Sequence, residues 1–195
     1  MINYIDIGSR YGLEKKFEKY SDRFNYVGLD GGESGADFNV CVGDCSRDTF
    51  YVTKELGCSS LYRPNLDLIR KFRNSDRFVV ENTIDVKVKS IFEVLSEEVF
   101  YSSFLNLDIQ GAEADVLFDV LQFGFNRVPI LAMQIEVNFA KLYADSKTAP
   151  DILGILDNSD EWYLYDFCRL VRWDTSGHRD LGQLVFGDVI IFAKT

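Results

Sequence analysis

The chain has 195 residues and a net charge of −10, from 31 acidic and 21 basic side chains. That length suits one domain spanning residues 1–195, and the excess of acid disfavours a nucleic-acid partner because phosphate backbones recruit Lys and Arg. No apolar run approaches the ~18 residues of a membrane span, and no basic segment precedes the first apolar run as it does in a signal peptide. We therefore expect a cytoplasmic protein without a membrane partner.

The cysteines and the one histidine limit the metal chemistry. Cys41, Cys45, Cys58 and Cys168 form no CxxC pair, and the spacing from Cys41 to Cys45 does not match the usual zinc motifs. Without a secretory signal, these thiols are expected to be reduced. Because His178 is the one histidine of the sequence, a metal site built on several imidazoles and a mechanism that uses several histidines are both excluded. The simplest interpretation of His178 is a solvated loop residue.

The first half of the chain predicts strands over Tyr4–Ile7, Tyr26–Asp30, Asp37–Val42, Thr49–Thr53 and Phe78–Val88. Helical spacing of apolar residues predicts helices over Leu13–Phe24, Asp67–Phe72 and Ile91–Val99. The first of these helices would place Leu13, Phe17, Tyr20 and Phe24 on one face and its lysines in water.

The second half predicts a strand that ends in a polar turn over Phe104–Gly111, then a helix with Val116, Leu117, Val120 and Leu121 on one face. A buried strand over Ile130–Val137 and a helix over Asp151–Leu156 follow. The last two strands, Trp162–Trp173 and Gln183–Ala193, have no helix between them and should form an antiparallel hairpin. This order predicts an α/β fold with a largely parallel sheet and helices on both faces.

The turn after the first strand has the composition of a cofactor cradle. Gly8 and Gly12 flank it, with Ser9 between them, and a helix is predicted to follow. Glycine lets backbone approach a ligand without a Cβ in the way, and a helix start offers free N–H groups. The alternative is a plain βα turn in which the glycines only ease the bend.

Carboxylates recur where the predicted strands end, and the carboxyl ends of parallel strands share one edge, where α/β folds bind ligands. They are Asp6 before Gly8, Asp30 before Gly31, Asp44 between Gly43 and Cys45, Asp108, and Glu136. Asp30 could accept both hydrogen bonds of a ribose diol, and Asp44 could accept an adenine amine. The alternative for each is a cap or turn residue.

The glycine spacing helps to choose between two adenosine cofactors. Pyrophosphate binding favours G-x-G-x-x-G, whereas Arg10 and Tyr11 give this turn the pattern G-x-x-x-G. Asp6 would repel a pyrophosphate but would suit the ammonium group of a methionine moiety. The sequence therefore favours S-adenosylmethionine over NAD.

The sequence resembles the FkbM family of S-adenosylmethionine-dependent methyltransferases over nearly its whole length. The matching pieces are, in chain order, Ile5-Asp6-Ile7-Gly8 with Gly12, Asn39-Val40-Cys41-Val42-Gly43-Asp44, Ser59-Ser60-Leu61, Leu107-Asp108-Ile109-Gln110-Gly111-Ala112-Glu113 with Val116-Leu117, Ile135-Glu136-Val137, Leu142-Tyr143, and Gly187-Asp188-Val189. The resemblance implies a Rossmann-like class I methyltransferase fold with a seven-stranded sheet. It also implies O-methylation of a hydroxyl on a sugar, polysaccharide or natural product.

Two features depart from the family pattern. Asn106 occupies the place, two positions before the motif aspartate, where the family often has Lys. The chain also begins almost at the first strand, which leaves the acceptor pocket open or completed by a second subunit of a homo-oligomer.

Asp108 is the first candidate for the general base, followed by Glu113 and Glu136. Glu113 has an equal alternative as a first-turn residue favoured by the helix dipole, and Glu136 has one as an ion-pair partner. Mg²⁺ held by Asp108 and Glu136 is a lesser alternative. An NAD-dependent oxidoreductase and a non-catalytic cofactor-binding domain are the competing functions. If the glycine turn binds the cofactor, Gly8→Val should weaken binding in a folded protein.

Overall fold

The protein is described by a computed structural model covering residues 2–13, 15–32, 36–95, 102–127, 129–175 and 182–194. Its strands are β1 (Ile2–Ile7), β2 (Phe24–Asp30), β3 (Phe38–Asn39), β4 (Cys41–Val42), β5 (Thr49–Thr53), β6 (Val80–Asp85), β7 (Val88–Lys89), β8 (Ser103–Leu107), β9 (Ile130–Asn138), β10 (Trp162–Trp173) and β11 (Gln183–Ala193). Its helices are α1 (Lys15–Glu18), α2 (Leu66–Ile69), α3 (Ile91–Leu95), α4 (Glu113–Arg127) and α5 (Ala149–Asp157). Short 3₁₀ turns cover Ser21–Arg23, Leu56–Cys58 and Ser75–Phe78. His178 lies outside the described residues.

Within the described residues, seven strands form one mixed sheet in the order β10-β11-β9-β8-β1-β2-β3. The strands from β9 to β3 are parallel to their neighbours, and β11 runs antiparallel between β9 and β10. The predicted α/β class, the mostly parallel sheet and the C-terminal antiparallel hairpin are confirmed. The chain reverses its direction of travel across the sheet between β1 and β8, which is where such folds open a crevice.

Alternation along β1 sends successive side chains to opposite faces of the sheet. Ile5 and Ile7 join the main core, where Val116 and Leu117 of α4 and Ile152 of α5 also pack. Tyr4 faces the other way, and its ring lies 5.1 Å from that of Phe17 in α1 and 5.3 Å from that of Phe104. Helices therefore cover both faces, as predicted.

The predicted helix over Leu13–Phe24 is wrong in its second half. α1 ends at Glu18, and Phe24 already begins β2, in parallel register with Ile2 of β1. Phe24 packs its ring 5.4 Å from that of Tyr4. The apolar residues of this stretch are spaced as in a helix, but Phe24 is fixed in a strand by its pairing with β1 and by its contact with Tyr4.

Two predicted strands are interrupted. The one over Asp37–Val42 splits into β3, which pairs with β2, and β4, which pairs with β7. The one over Phe78–Val88 splits into a 3₁₀ turn, β6 and β7. β5 and β6 form an antiparallel pair outside the main sheet.

None of the helices in the described ranges is long and apolar enough to span a bilayer.

Candidate functional site

A cleft opens at the carboxyl ends of β1, β2 and β8, beside the point where the chain reverses across the sheet. Its polar lining includes Arg10, Asp30, Ser59, Asp108 and Gln110. Its apolar walls come from several elements: Leu29, Val40, Phe50, Leu56 and Leu61. The predicted site residues Gly8, Asp30, Gly31 and Asp108 are brought together here.

The turn after β1 uses its backbone amides internally. The N–H groups of Gly8 and Ser9 donate to the Leu29 carbonyl at 2.8 and 3.1 Å, and that of Arg10 donates to the Gly8 carbonyl at 2.8 Å. Gly12 donates to the Ser9 carbonyl at 2.9 Å. The N–H groups of Gly8, Ser9, Arg10 and Gly12 therefore do not form a row of free amides directed at an anion in the cleft.

Gly8 is required by packing as well as by the turn. Its φ is +92°, and a Cβ on it would overlap the carbonyl of Asp108. The expectation that Gly8→Val leaves the fold intact is therefore revised, because the substitution forces β1 and the segment after β8 apart.

Asp30 ends β2 on the wall of the cleft, with its side chain only 10% exposed. Its Oδ1 accepts the Gly32 N–H at 2.7 Å and lies 3.7 Å from Nη1 of Arg10. Among the described residues, no donor reaches its Oδ2. Within the part of the chain that the structure describes, Oδ2 is therefore the Asp30 oxygen that could accept from a ligand.

Asp108 belongs to a network that joins the ends of β8 and β9 to Arg169 of β10. Gln110 Nε2 donates to Asp108 Oδ1 at 2.6 Å and to Glu136 Oε1 at 3.1 Å. Tyr143 donates its hydroxyl to Gln110 Oε1 at 2.8 Å. Arg169 Nη2 lies 2.7 Å from Glu136 Oε2 and 3.6 Å from Asp108 Oδ2. Asp108 is therefore held from two sides while its side chain stays 34% exposed.

Burial sets the protonation of the carboxyl groups behind Asp108. Burial raises the pKa of Glu136 well above its usual range, and the charge of Asp108 adds to the shift. Burial likewise raises the pKa of Asp188 to about 6, while Arg169 opposes that shift. Arg169 therefore opposes the effect of burial on the pKa of both carboxyl groups.

Glu113 braces the turn that follows β8. Its carboxylate accepts the N–H groups of Ile109 at 3.0 Å and of Gly111 at 2.9 Å. Gln110 has φ +57° and Gly111 has φ +109°, so two successive residues lie in the left-handed region. Glu113 is 2% exposed and does not line the cleft; the geometry favours its turn-bracing role.

Several predicted cofactor-binding residues lie outside the cleft lining formed by the described residues. Asp6 is buried on the face that carries Tyr4, where Tyr26 and Asn106 each donate to its carboxylate at 2.8 Å. Ser9 is also buried, and Gly12 borders the turn without lining the cleft.

The segment after β4 forms a separate surface. Gly43 donates its N–H to the Lys89 carbonyl at 3.1 Å. Asp44 accepts the N–H and hydroxyl of Ser46, both at 2.8 Å, and the N–H bond is the main reason that the pKa of Asp44 is lowered. Cys45 is exposed, with Sγ 3.7 Å from Glu93. The bonds to Ser46 agree with the sequence-based alternative of a turn residue, and Asp44 does not line the cleft.

Several residues of the candidate site were not identified from the sequence. Phe50 of β5 and Leu56 of the following 3₁₀ turn reach the cleft from the antiparallel pair β5–β6, which lies outside the main sheet. Arg169 lies in the middle of a predicted strand, and nothing in the local pattern marks it. Gln110 and Tyr143 were within the quoted family motifs, which was their only signal.

Among the described residues, no group of three or more His, Cys, Asp or Glu side chains is arranged to hold a metal ion. A scan against protein-family models gave no match, and neither did a search of curated proteins.

Proposed function

We propose that the chain is an S-adenosylmethionine-dependent methyltransferase that methylates a hydroxyl of a sugar, polysaccharide or natural product. The observation that carries this proposal is the cleft at the ends of β1, β2 and β8, with Asp30 on one wall and Asp108 on the other. These are the positions at which α/β folds bind ligands. The seven-stranded sheet with its antiparallel hairpin agrees with the class I methyltransferase fold implied by the FkbM resemblance.

The lining fits an adenosine group. Asp30 would accept a ribose hydroxyl through Oδ2, since Oδ1 is already bonded to Gly32. Leu29, Val40 and Leu61 offer apolar wall for a base. Gly31 lines the same wall, and a Cβ on it would collide with Cys41, so the wall approaches its ligand without a side chain at that position.

The turn after β1 supports S-adenosylmethionine over the alternative of an NAD-dependent oxidoreductase. A pyrophosphate is normally bound by outward-facing amides at a glycine turn. Here Gly8 and Ser9 both donate to Leu29. A sulfonium amino acid needs no such amide row, which makes it the better match to this turn.

The protein's own contribution to the reaction is to align the acceptor and to receive its proton. When bound, S-adenosylmethionine supplies an activated methyl group. Asp108, partly exposed on the cleft, would accept the proton of the acceptor hydroxyl. Holding the hydroxyl in line supplies much of the rate gain. Glu136 and Glu113 lie behind Asp108 and act as supports.

The test combines binding and transfer. Calorimetric titration should give binding of S-adenosylmethionine and S-adenosylhomocysteine, without binding of NAD. Labelled methyl transfer should then be screened across monosaccharides, oligosaccharides and hydroxylated natural products. Asp108→Asn should retain cofactor binding and lose transfer. Binding of NAD in place of S-adenosylmethionine would overturn the proposal, and cofactor binding without transfer to any acceptor would favour a non-catalytic domain.

A further inference from the structure

Arg169 occupies a bulge in β10. Cys168 pairs with Asp188 and Val171 pairs with Phe186, so β10 has one residue more than β11 over this interval. Arg169 has φ +47°, a left-handed conformation that favours glycine. Bulges commonly re-aim a side chain near functional sites, and here the bulge directly follows the pair formed by Cys168 and Asp188.

The Arg169 guanidinium contacts three carboxylates that come from three neighbouring strands: Asp108 directly after β8, Glu136 near the end of β9, and Asp188 in the middle of β11. Nη2 lies 2.7 Å from Glu136 Oε2, 3.0 Å from Asp188 Oδ1 and 3.6 Å from Asp108 Oδ2, and Nε donates to Asp188 Oδ1 at 3.2 Å. The Glu136 and Asp188 side chains are only 7% and 2% exposed. The Arg169 side chain itself is 46% exposed.

Other polar groups surround this cluster without replacing the cation. Gln110 bonds both Asp108 and Glu136, and Tyr143 bonds Gln110. Glu113 lies behind the network and adds to the repulsion felt by Glu136. Lys16 Nζ donates to Gln134 Oε1 at 3.4 Å, and Gln134 Nε2 donates to Asp188 Oδ2 at 2.8 Å.

Carboxylates that share a site cannot all ionise without a compensating charge. Among the described residues, Arg169 is the cation that contacts all three. We infer that Arg169 is a positioning residue: it keeps the Asp108 carboxylate ionised and oriented on the cleft, so that Asp108 can receive the acceptor's proton. This inference rests on the proposed methyltransferase function. The inferred role explains why position 169 holds an arginine although its backbone conformation favours glycine.

Two substitutions of Arg169 separate the effect of its positive charge from the effect of its left-handed backbone conformation. Arg169→Gly removes the cation and places in the bulge the residue that its conformation favours, so the strand should still form. Arg169→Lys keeps a cation. Arg172→Gly is the matched control, because Arg172 lies in the same strand and donates instead to the Gly182 carbonyl at 3.2 Å.

The first measurement is a titration of carbon-13-labelled carboxyl groups by NMR from pH 4 to pH 9, with Asp108 identified by comparison with Asp108→Asn. In Arg169→Gly, the Asp108 midpoint should rise by at least one pH unit; Arg169→Lys should restore most of the wild-type value. An unchanged midpoint in Arg169→Gly, or the same rise in Arg172→Gly, would overturn the inference.

The second measurement is methyl transfer as a function of pH. Loss of the cation favours the protonated carboxyl, so the acid limb of kcat/KM should move to higher pH in Arg169→Gly. Near neutral pH, kcat should be at least tenfold lower because Asp108 loses the contact that orients its carboxylate. The dissociation constant of S-adenosylmethionine should change less than threefold. If the wild type neither binds S-adenosylmethionine nor transfers methyl, the proposed function fails, and the carboxyl titration still decides whether Arg169 controls Asp108.

Discussion

Asp30 is the residue whose substitution tests the adenosine site most directly. Asparagine can still accept the Gly32 N–H through its oxygen, but it replaces the Oδ2 acceptor with a donor. We expect Asp30→Asn to weaken S-adenosylmethionine binding at least tenfold, about 1.4 kcal/mol, as measured by calorimetry. Asp44→Asn makes the same chemical change at a carboxylate that bonds Ser46 outside the cleft, and it should leave the affinity unchanged. An unchanged affinity in Asp30→Asn would show that the adenosine lies elsewhere.

Gly8 and Gly12 both have positive φ but differ in their surroundings. A Cβ on Gly8 would overlap the Asp108 carbonyl, whereas a Cβ on Gly12, at φ +72°, would meet nothing within 4 Å. Gly12→Ala should therefore cost only the backbone strain, about 1 kcal/mol of unfolding free energy. Gly8→Ala should cost at least twice as much without any ligand present. Denaturant unfolding of the two variants checks this difference, and equal losses would contradict the packing role of Gly8.

At the scale of elements, the turn between β8 and α4 has a pH-dependent brace. Burial raises the pKa of Glu113 from 4.5 to about 7, while the N–H bonds from the turn oppose the shift. Because the folded state then binds more protons than the unfolded state between those values, stability should fall as pH rises from about 4.5 to about 7, by roughly 3 kcal/mol.

Glu113→Gln should remove that contribution while keeping an oxygen to accept from Ile109 and Gly111. The difference in unfolding free energy between wild type and Glu113→Gln should therefore change with pH in this window and flatten above it. Glu113→Ala loses the acceptor as well and should be less stable than Glu113→Gln at every pH. A pH-independent difference between wild type and Glu113→Gln would contradict the raised pKa.

The elements that sequence patterns predicted correctly are those with long, uniform periodicity. The strand over Ile130–Val137 is buried except at Leu131 and appears in the structure as β9. The strand over Gln183–Ala193 is buried through its centre, Gly187–Val189, and appears as β11. The helix over Leu13–Phe24 failed because Phe24 satisfies helical spacing locally but pairs with β1 in the folded chain. Strand pairing is a long-range contact, and a window of sequence does not contain it.

The same distinction separates the site residues that sequence reasoning found from those it missed. Asp30 and Asp108 follow strands directly, so their place at the sheet edge follows from the order of elements. Arg169 reaches Asp108 only because one extra residue in β10 turns its side chain toward β9. Phe50 and Leu56 line the cleft from the β5–β6 strand pair and the 3₁₀ turn after β5, which lie outside the main sheet. These placements depend on pairing that composition and spacing do not record.

At the scale of the whole molecule, cofactor binding should appear as added stability. A ligand that binds only the folded state at 100 times its dissociation constant adds about 2.7 kcal/mol, and a domain of this size gains about 2–4 °C in Tm for each kcal/mol. S-adenosylmethionine at that concentration should therefore raise Tm by roughly 5–10 °C. At the same ligand concentration, a tenfold weaker Asp30→Asn variant should gain about half as much, and Asp44→Asn should gain as much as the wild type. NAD should give no shift, because the amides after β1 are bonded to Leu29. A larger shift with NAD than with S-adenosylmethionine would place this cleft among dinucleotide sites and contradict the proposed cofactor.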